Sequence, residues 1–92
     1  MPSYPKPKRE TNRALLDEVK ARKVCIVRNM YGECYGDYDP HHIRSVGSGG
    51  SDTPDNVCCL CRRHHTLAHS GKIPKSVLYE LNYEYIERLA QD

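Results

Sequence analysis

All five histidines of this chain fall in two short segments. The first is Asp39-Pro40-His41-His42-Ile43-Arg44, and the second runs from Cys61 through His64 and His65 to His69. Three of the five cysteines, Cys58, Cys59 and Cys61, stand at the entry to the second segment. The other two, Cys25 and Cys34, lie upstream of the first. Imidazole and thiolate are the ligands that hold zinc-type cations. A chain that concentrates them in this way is expected to fold around metal, and the spacing separates two sets. His65 and His69 are four apart, so a helix puts both on one face, and His41, arriving from elsewhere in the chain, could complete a facial set of three. Three protein ligands with open positions form a catalytic arrangement. Cys61-x-x-His64 sets two ligands on one turn at the start of a helix, and Cys25 and Cys34 close a tetrahedral Cys-Cys-Cys-His set of the structural kind. Cys58 or Cys59 could replace one member of that second set.

Ninety-two residues make one small domain. A domain of this size buries only about two-thirds of its unfolded surface. This one has no Phe and no Trp and uses seven Tyr instead, so a metal staple supplies what a thin core lacks. The net charge of +2 is unevenly spread. Residues 1–30 carry eight Lys/Arg against Glu10, Asp17 and Glu18, while the remainder is net acidic. A basic arm on a small domain suits a polyanion such as nucleic acid, and the competing reading is a solvated basic helix. The Pro- and Lys-rich N-terminus lacks the apolar segment of a secretory signal, and no stretch approaches a membrane span. The expectation is therefore a cytoplasmic protein with reduced thiols and no membrane partner, in which clustered Cys and His mean metal before disulfide.

Residues 1–9, with Pro2, Pro5 and Pro7 among Lys and Arg, read as a flexible basic arm, and residues 10–92 as a single domain. Thr11 or Asn12 caps a helix to about Lys23, with Leu15, Leu16 and Val19 as its apolar stripe. Val24–Val27 reads as a short extended segment, and Asn29 to Asp39 as a turn or knuckle. Ile43 is expected in a short strand. The Ser/Gly-rich run from Ser45 to Pro54 reads as a flexible loop, after which Asp55-Asn56-Val57 brings the chain back. A helix starting near Cys61 carries His65 and His69 and ends at Gly71. A last helix, about Ser76 to Ala90, offers Val77, Leu78, Leu81, Tyr85 and Leu89 on one face. The fold class expected is α+β.

The His41-His42 pair, Asn56 about a dozen residues on, and His65-x3-His69 resemble, in order and spacing, the HNH endonucleases, also called ββα-metal nucleases. The likeness covers Cys25 to Lys72, about half the chain. The Cys61-x-x-His64-His65 run looks like the Cys-x-x-Cys-His element of zinc-stapled members, with His64 in place of the second Cys. The wider Cys25–Cys34 spacing departs from that pattern, and the likeness does not extend to the flanking helices. Small phage and prophage proteins of this family, some acting in recombination or DNA packaging, are the most similar in kind.

The resemblance implies a small ββα-metal core with a short β-hairpin, a metal-bearing helix, flanking N- and C-terminal helices and a structural zinc site. It implies His41 as metal ligand, His42 as general base, Asn56 as the residue that ties the loop holding the base, and His65 and His69 as the remaining ligands. The implied function is a metal-dependent DNA endonuclease or nickase of phage or prophage descent, using a single divalent metal: Mg, Mn, Ni or Zn. Arg44, Arg62, Arg63 and Lys72 lie beside these motifs and are candidate phosphate contacts, or else solvated charges. A zinc-stabilised DNA-binding module without catalysis, and a packaging partner active only in a larger complex, are the competing functions. DNA is the expected partner, with a homodimer or phage recombination and packaging proteins as further ones.

Overall fold

The computed structural model describes residues 9–91. The fold is α+β: one two-stranded antiparallel hairpin and three helices. Helix α1 spans Arg13–Ala21, with the Asn12 side chain accepting the Leu15 amide at 3.0 Å, as an N-cap should. Leu15 and Val19, one turn apart, are its buried residues. The helix stops at Ala21, short of the expected Lys23, because Lys23 takes a left-handed φ of 51° that no helix can continue. Among residues 1–9, only Arg9 of the expected arm lies within the described residues, and it is docked against Gly50 and Asp52.

The expected extended segment at Val24–Val27 is a pair of turns instead. The Ile26 amide bonds the Cys59 carbonyl at 3.1 Å, and the chain then coils through Arg28 to Cys25 and Met30 to Val27 bonds. Left-handed Asn29 and Tyr31 reverse it toward Cys34. Strand β1, Tyr38–His42, pairs antiparallel with strand β2, Val57–Cys61, with His41 opposite Cys58 and His42 opposite Val57. β1 contains Pro40, which a strand with only one neighbour tolerates. Ile43 lies just past the end of β1, although its amide still bonds the Asn56 carbonyl at 2.8 Å. The connection between the strands holds a 3-10 turn at Val46–Ser48 and four buried residues, Ile43, Gly50, Asp52 and Asn56.

All five residues of β2 are buried, because the hairpin is covered on both faces. Val57 and Cys59 pack on Leu15 and Val19 of α1. Cys58 and Leu60 pack with Ile43, Ile73, Leu78, Cys25 and Val27. Helix α2, Arg62–His69, follows β2 without a linker. Hairpin followed at once by helix is the ββα arrangement expected from the sequence. Helix α3, Lys75–Gln91, buries Leu78 and Asn82. The expected apolar face is cut short: Leu89 is exposed, and the buried position one turn after Leu78 belongs to Asn82, whose amide donates to the Pro54 carbonyl at 2.9 Å. No described helix is long and apolar enough to cross a membrane.

Candidate metal centres and the histidine groove

Strand geometry separates the two adjacent histidines. Successive side chains point to opposite faces of a strand. His41, paired with Cys58, lies on the face that carries α2 and α3, whereas His42, paired with Val57, lies on the α1 face. The structure accordingly brings His41, and not His42, to His65 and His69, with one candidate ligand atom of each within 4.8 Å of the others. The Nε2 atoms of His65 and His69 are 3.0 Å apart. Nitrogens about 2.0–2.1 Å from one ion in tetrahedral array lie roughly 3.3 Å from each other, and the trio is a group that could hold a metal ion.

Tautomers follow from partners that can only accept. Asp39, held below the usual carboxylate range chiefly by Arg62, lies 3.2 Å from His65 Nδ1. That nitrogen therefore donates, and the Nε2 of His65 is left as a lone pair facing its neighbours. His41 is 6% exposed, and its Nδ1 is buried with no hydrogen-bond partner. Burial, together with the neighbouring His65 and His69, pushes its pKa down to about 4, which keeps the ring neutral, the form that binds metal.

His42 makes a different contact. Its Nε2 is 2.6 Å from Oδ1 of Asp52, a carboxylate held below its ordinary range first by His42 and then by the Asn12 amide. The imidazole N–H donates there and Nδ1 is left as the basic nitrogen. A groove of about 300 Å³ is lined by Pro40, His41, His42, Val46, His65 and His69. An adjoining one of about 170 Å³ shares His41, His42 and His69 and adds Lys75 and Leu78. A hollow of about 350 Å³ beside α3, at Asp55, Tyr79, Tyr83 and Ile86, gathers no histidine or cysteine.

The second cluster is Cys25, Cys34, Cys61 and His64. His64 Nδ1 is 3.4, 3.6 and 3.0 Å from the sulfurs of Cys25, Cys34 and Cys61. Thiolates at about 2.3 Å and an imidazole at about 2.0 Å from one tetrahedral ion stand roughly 3.5 Å apart, so this Cys3His cluster could hold a metal ion. Nε2 of His64 donates to the Met30 carbonyl at 2.9 Å, which fixes Nδ1 as the free lone pair. Burial raises the Cys61 thiol, but the His64 and Tyr35 amides and the Cys34 thiol outweigh it and bring the group down to about 7. Burial and the neighbouring Cys25 push Cys34 up to about 12. Cys58 and Cys59 sit apart from the cluster: both are buried, one on each face of the hairpin.

Helix α2 serves both clusters. His64 points to the sulfurs, while His65 and His69, about 100–140° further around the helix, point to His41. Asn56 lies outside both. Its Oδ1 accepts the Arg44 amide at 2.8 Å, and its Nδ2 donates to the Arg44 and Ser51 carbonyls, so it clamps the inter-strand connection. Of the four residues expected at phosphate, Arg62 forks onto both oxygens of Asp39. Arg63 donates to the Tyr31 and Glu33 carbonyls and braces the Cys34 loop. Arg44 Nε donates to the Ser48 carbonyl, and Lys72 is exposed. Sequence reading missed Asp39, Asp52 and Lys75. Asp39 carried a signal, standing two residues before His41 and therefore on the same strand face.

No family model and no solved structure matches the chain. Over 49 residues it is 41% identical to the type IV methyl-directed restriction enzyme EcoKMcrA of Escherichia coli. The aligned stretch is 53% of this chain and 17% of that enzyme, so the chain spans about a sixth of the curated relative it matches.

Proposed function

We propose that the chain is a metal-dependent DNA endonuclease or nickase that hydrolyses phosphodiester bonds, with zinc in the Cys3His cluster and a single divalent cation at His41, His65 and His69. The observation that carries this reading is the pairing in one groove of a three-histidine ligand set with a fourth histidine kept out of that set. A purely structural zinc module has no use for either. The similarity to a segment of a restriction enzyme supports DNA as substrate, as does the order of His41-His42, Asn56 and His65-x3-His69, which resembles the HNH nucleases.

His41, His65 and His69 would hold the cation, which when bound would supply positive charge to the scissile phosphate and the departing 3′ oxygen. His42 Nδ1 takes the proton from the attacking water, and Asp52 holds the ring as it becomes charged. Asn56 keeps the Arg44 backbone, two residues beyond His42, in place. Lys75, beside His41 and His69, is a better-placed phosphate contact than Arg63, whose guanidinium is committed to backbone carbonyls.

The test separates neighbours. His42→Ala is expected to keep the fold and the metal while losing on the order of 10²–10⁴-fold in nicking of supercoiled plasmid. His41→Ala and His69→Ala lose activity through lost metal and recover partly as metal is raised. Equal loss of metal in His42→Ala and His41→Ala, measured by calorimetric titration, reverses the assignment. Wild-type cutting by His42→Ala leaves a zinc-stabilised DNA-binding module as the better reading.

A further inference from the structure

Asp52 is out of character for its surroundings. It stands in a run of Ser and Gly, yet its side chain is 5% exposed and both oxygens of its carboxylate accept hydrogen bonds. Oδ1 takes the His42 Nε2 at 2.6 Å and the Arg9 guanidinium at 2.7 Å, and Oδ2 takes the Asn12 amide at 2.8 Å. The backbone beneath is tied as well. The Asp52 amide donates to the Glu10 carbonyl, the Glu10 amide to the Ser51 hydroxyl, and Arg9 Nε to the Gly50 carbonyl, each at 2.8 Å. Residues 9–12 thus form a strap across the inter-strand connection, and the group at its centre faces the one histidine of the five that belongs to neither cluster.

We infer that Asp52 is the positioning residue for His42: the strap of residues 9–12 fixes its carboxylate, and the carboxylate fixes the tautomer and ring orientation of His42. This inference rests on the nuclease reading for its use, though not for its geometry. An ionised carboxylate only accepts, so His42 must present Nε2–H to it. The proton-accepting lone pair is then on Nδ1 and nowhere else. The arrangement follows the same logic as an aspartate that orients a catalytic histidine in a hydrolase triad. Here the orienting group comes from a loop beyond the strand, and it is itself held by an arginine and the N-terminus of α1.

Asp52→Asn tests this directly. An amide offers one acceptor oxygen where three donors now converge. The Asn12 amide belongs to the backbone and cannot turn away, whereas an imidazole can move its proton. The oxygen is therefore expected to stay with Asn12 and the NH2 to face His42, which then carries its proton on Nδ1 and loses its basic nitrogen at that position. With histidine-15N-labelled, zinc-loaded full-length protein, long-range proton–nitrogen spectra report each ring's tautomer. The expected result is Nε2–H for His42 in the wild type and Nδ1–H in Asp52→Asn, with His65, held by Asp39, unchanged in both.

Plasmid nicking in parallel should show kcat down by roughly 10²–10⁴-fold and KM for DNA within about twofold. Arg9→Ala, which removes one anchor and spares Asp52, should keep the Nε2–H tautomer and lose less rate. A wild-type His42 with mixed tautomers, or one whose tautomer ignores Asp52→Asn, overturns the inference. A wild type with the expected tautomer that cuts no DNA with any divalent ion upholds the pairing and overturns the nuclease reading instead.

Discussion

Cys61 is the residue on which most of the local structure converges. It closes β2, and its sulfur accepts the His64 amide at 3.4 Å as the N-cap of α2 while lying 3.0 Å from His64 Nδ1 in the Cys3His cluster. Capping and ligation can be separated by one substitution. Serine is among the best N-caps, so Cys61→Ser keeps the cap, but its hydroxyl is a poor ligand for a zinc-type ion. Loss of a cap costs about 1 kcal/mol. Structural zinc contributes an apparent 10–16 kcal/mol or so in zinc-finger peptides. The variant is therefore expected to lose its bound metal and to unfold or aggregate, measured by metal per chain and by thermal melting. Cys58→Ser, a buried thiol outside the cluster, should keep the metal and lose only part of the stability. Undiminished metal content in Cys61→Ser would refute the ligand assignment. At this scale the sequence was informative wherever a residue type is chemically rare: Cys and His announce their use, and helical spacing carries their geometry. Asp52 was not legible, since an aspartate in a Ser/Gly loop has the composition of a turn and nothing local reveals that a carboxylate is buried.

At the scale of elements, the inter-strand connection decides how the hairpin presents its histidines. Ser45 to Pro54 reads as flexible by composition, yet it is pinned from three sides. Ser45 caps the 3-10 turn, residues 9–12 strap Gly50 to Asp52, and Asn56 grips Arg44 and Ser51. Gly50 shows why composition misleads here. A Cβ at this position would collide with the Arg44 carbonyl oxygen, so the glycine marks close packing and not freedom. Asn56→Ala leaves the Arg44 amide and two carbonyls without their partner. A buried group so abandoned costs about 1–3 kcal/mol, and the loss should appear as a lower urea midpoint with little change in slope. Asn56→Asp restores the acceptor for Arg44 but sets a carboxylate against two carbonyl oxygens, so it should do no better. An unchanged midpoint in Asn56→Ala would mean that the clamp contributes nothing. The helices were legible to within a turn because caps and apolar spacing are local signals. The boundary at Lys23 and the turns after Cys25 were not, because this stretch is shaped by contacts distant in sequence, such as the Ile26 amide on the Cys59 carbonyl.

Across the whole molecule, the two clusters tie different parts of the chain to one helix. The Cys3His set joins the segment before β1 to the start of α2, and the three-histidine set joins the end of β1 to the middle and end of α2. The order in which they release metal should therefore differ. In the three-histidine set His69 is exposed and the ligands border an open groove, whereas in the Cys3His set three of four ligands are buried and all four positions are filled by protein. Removing an ion from the first leaves the hairpin and helix still joined through β2 and the core around Leu60, Ile73 and Leu78. Removing it from the second takes away the only anchor of sulfur type between the Cys25–Cys34 stretch and α2, in a domain with a thin core. Stepwise addition of a carboxylate chelator is expected to remove one metal first, abolishing plasmid nicking while near- and far-ultraviolet dichroism stay native. The second metal should leave only with a thiol-reactive mercurial or a much stronger chelator, and the dichroism should collapse with it. Metal content, nicking and dichroism measured on the same samples decide the matter. Loss of fold and activity in a single step would show that the two sites are not independent, and activity surviving the first metal's departure would show that the three histidines do not hold the working ion.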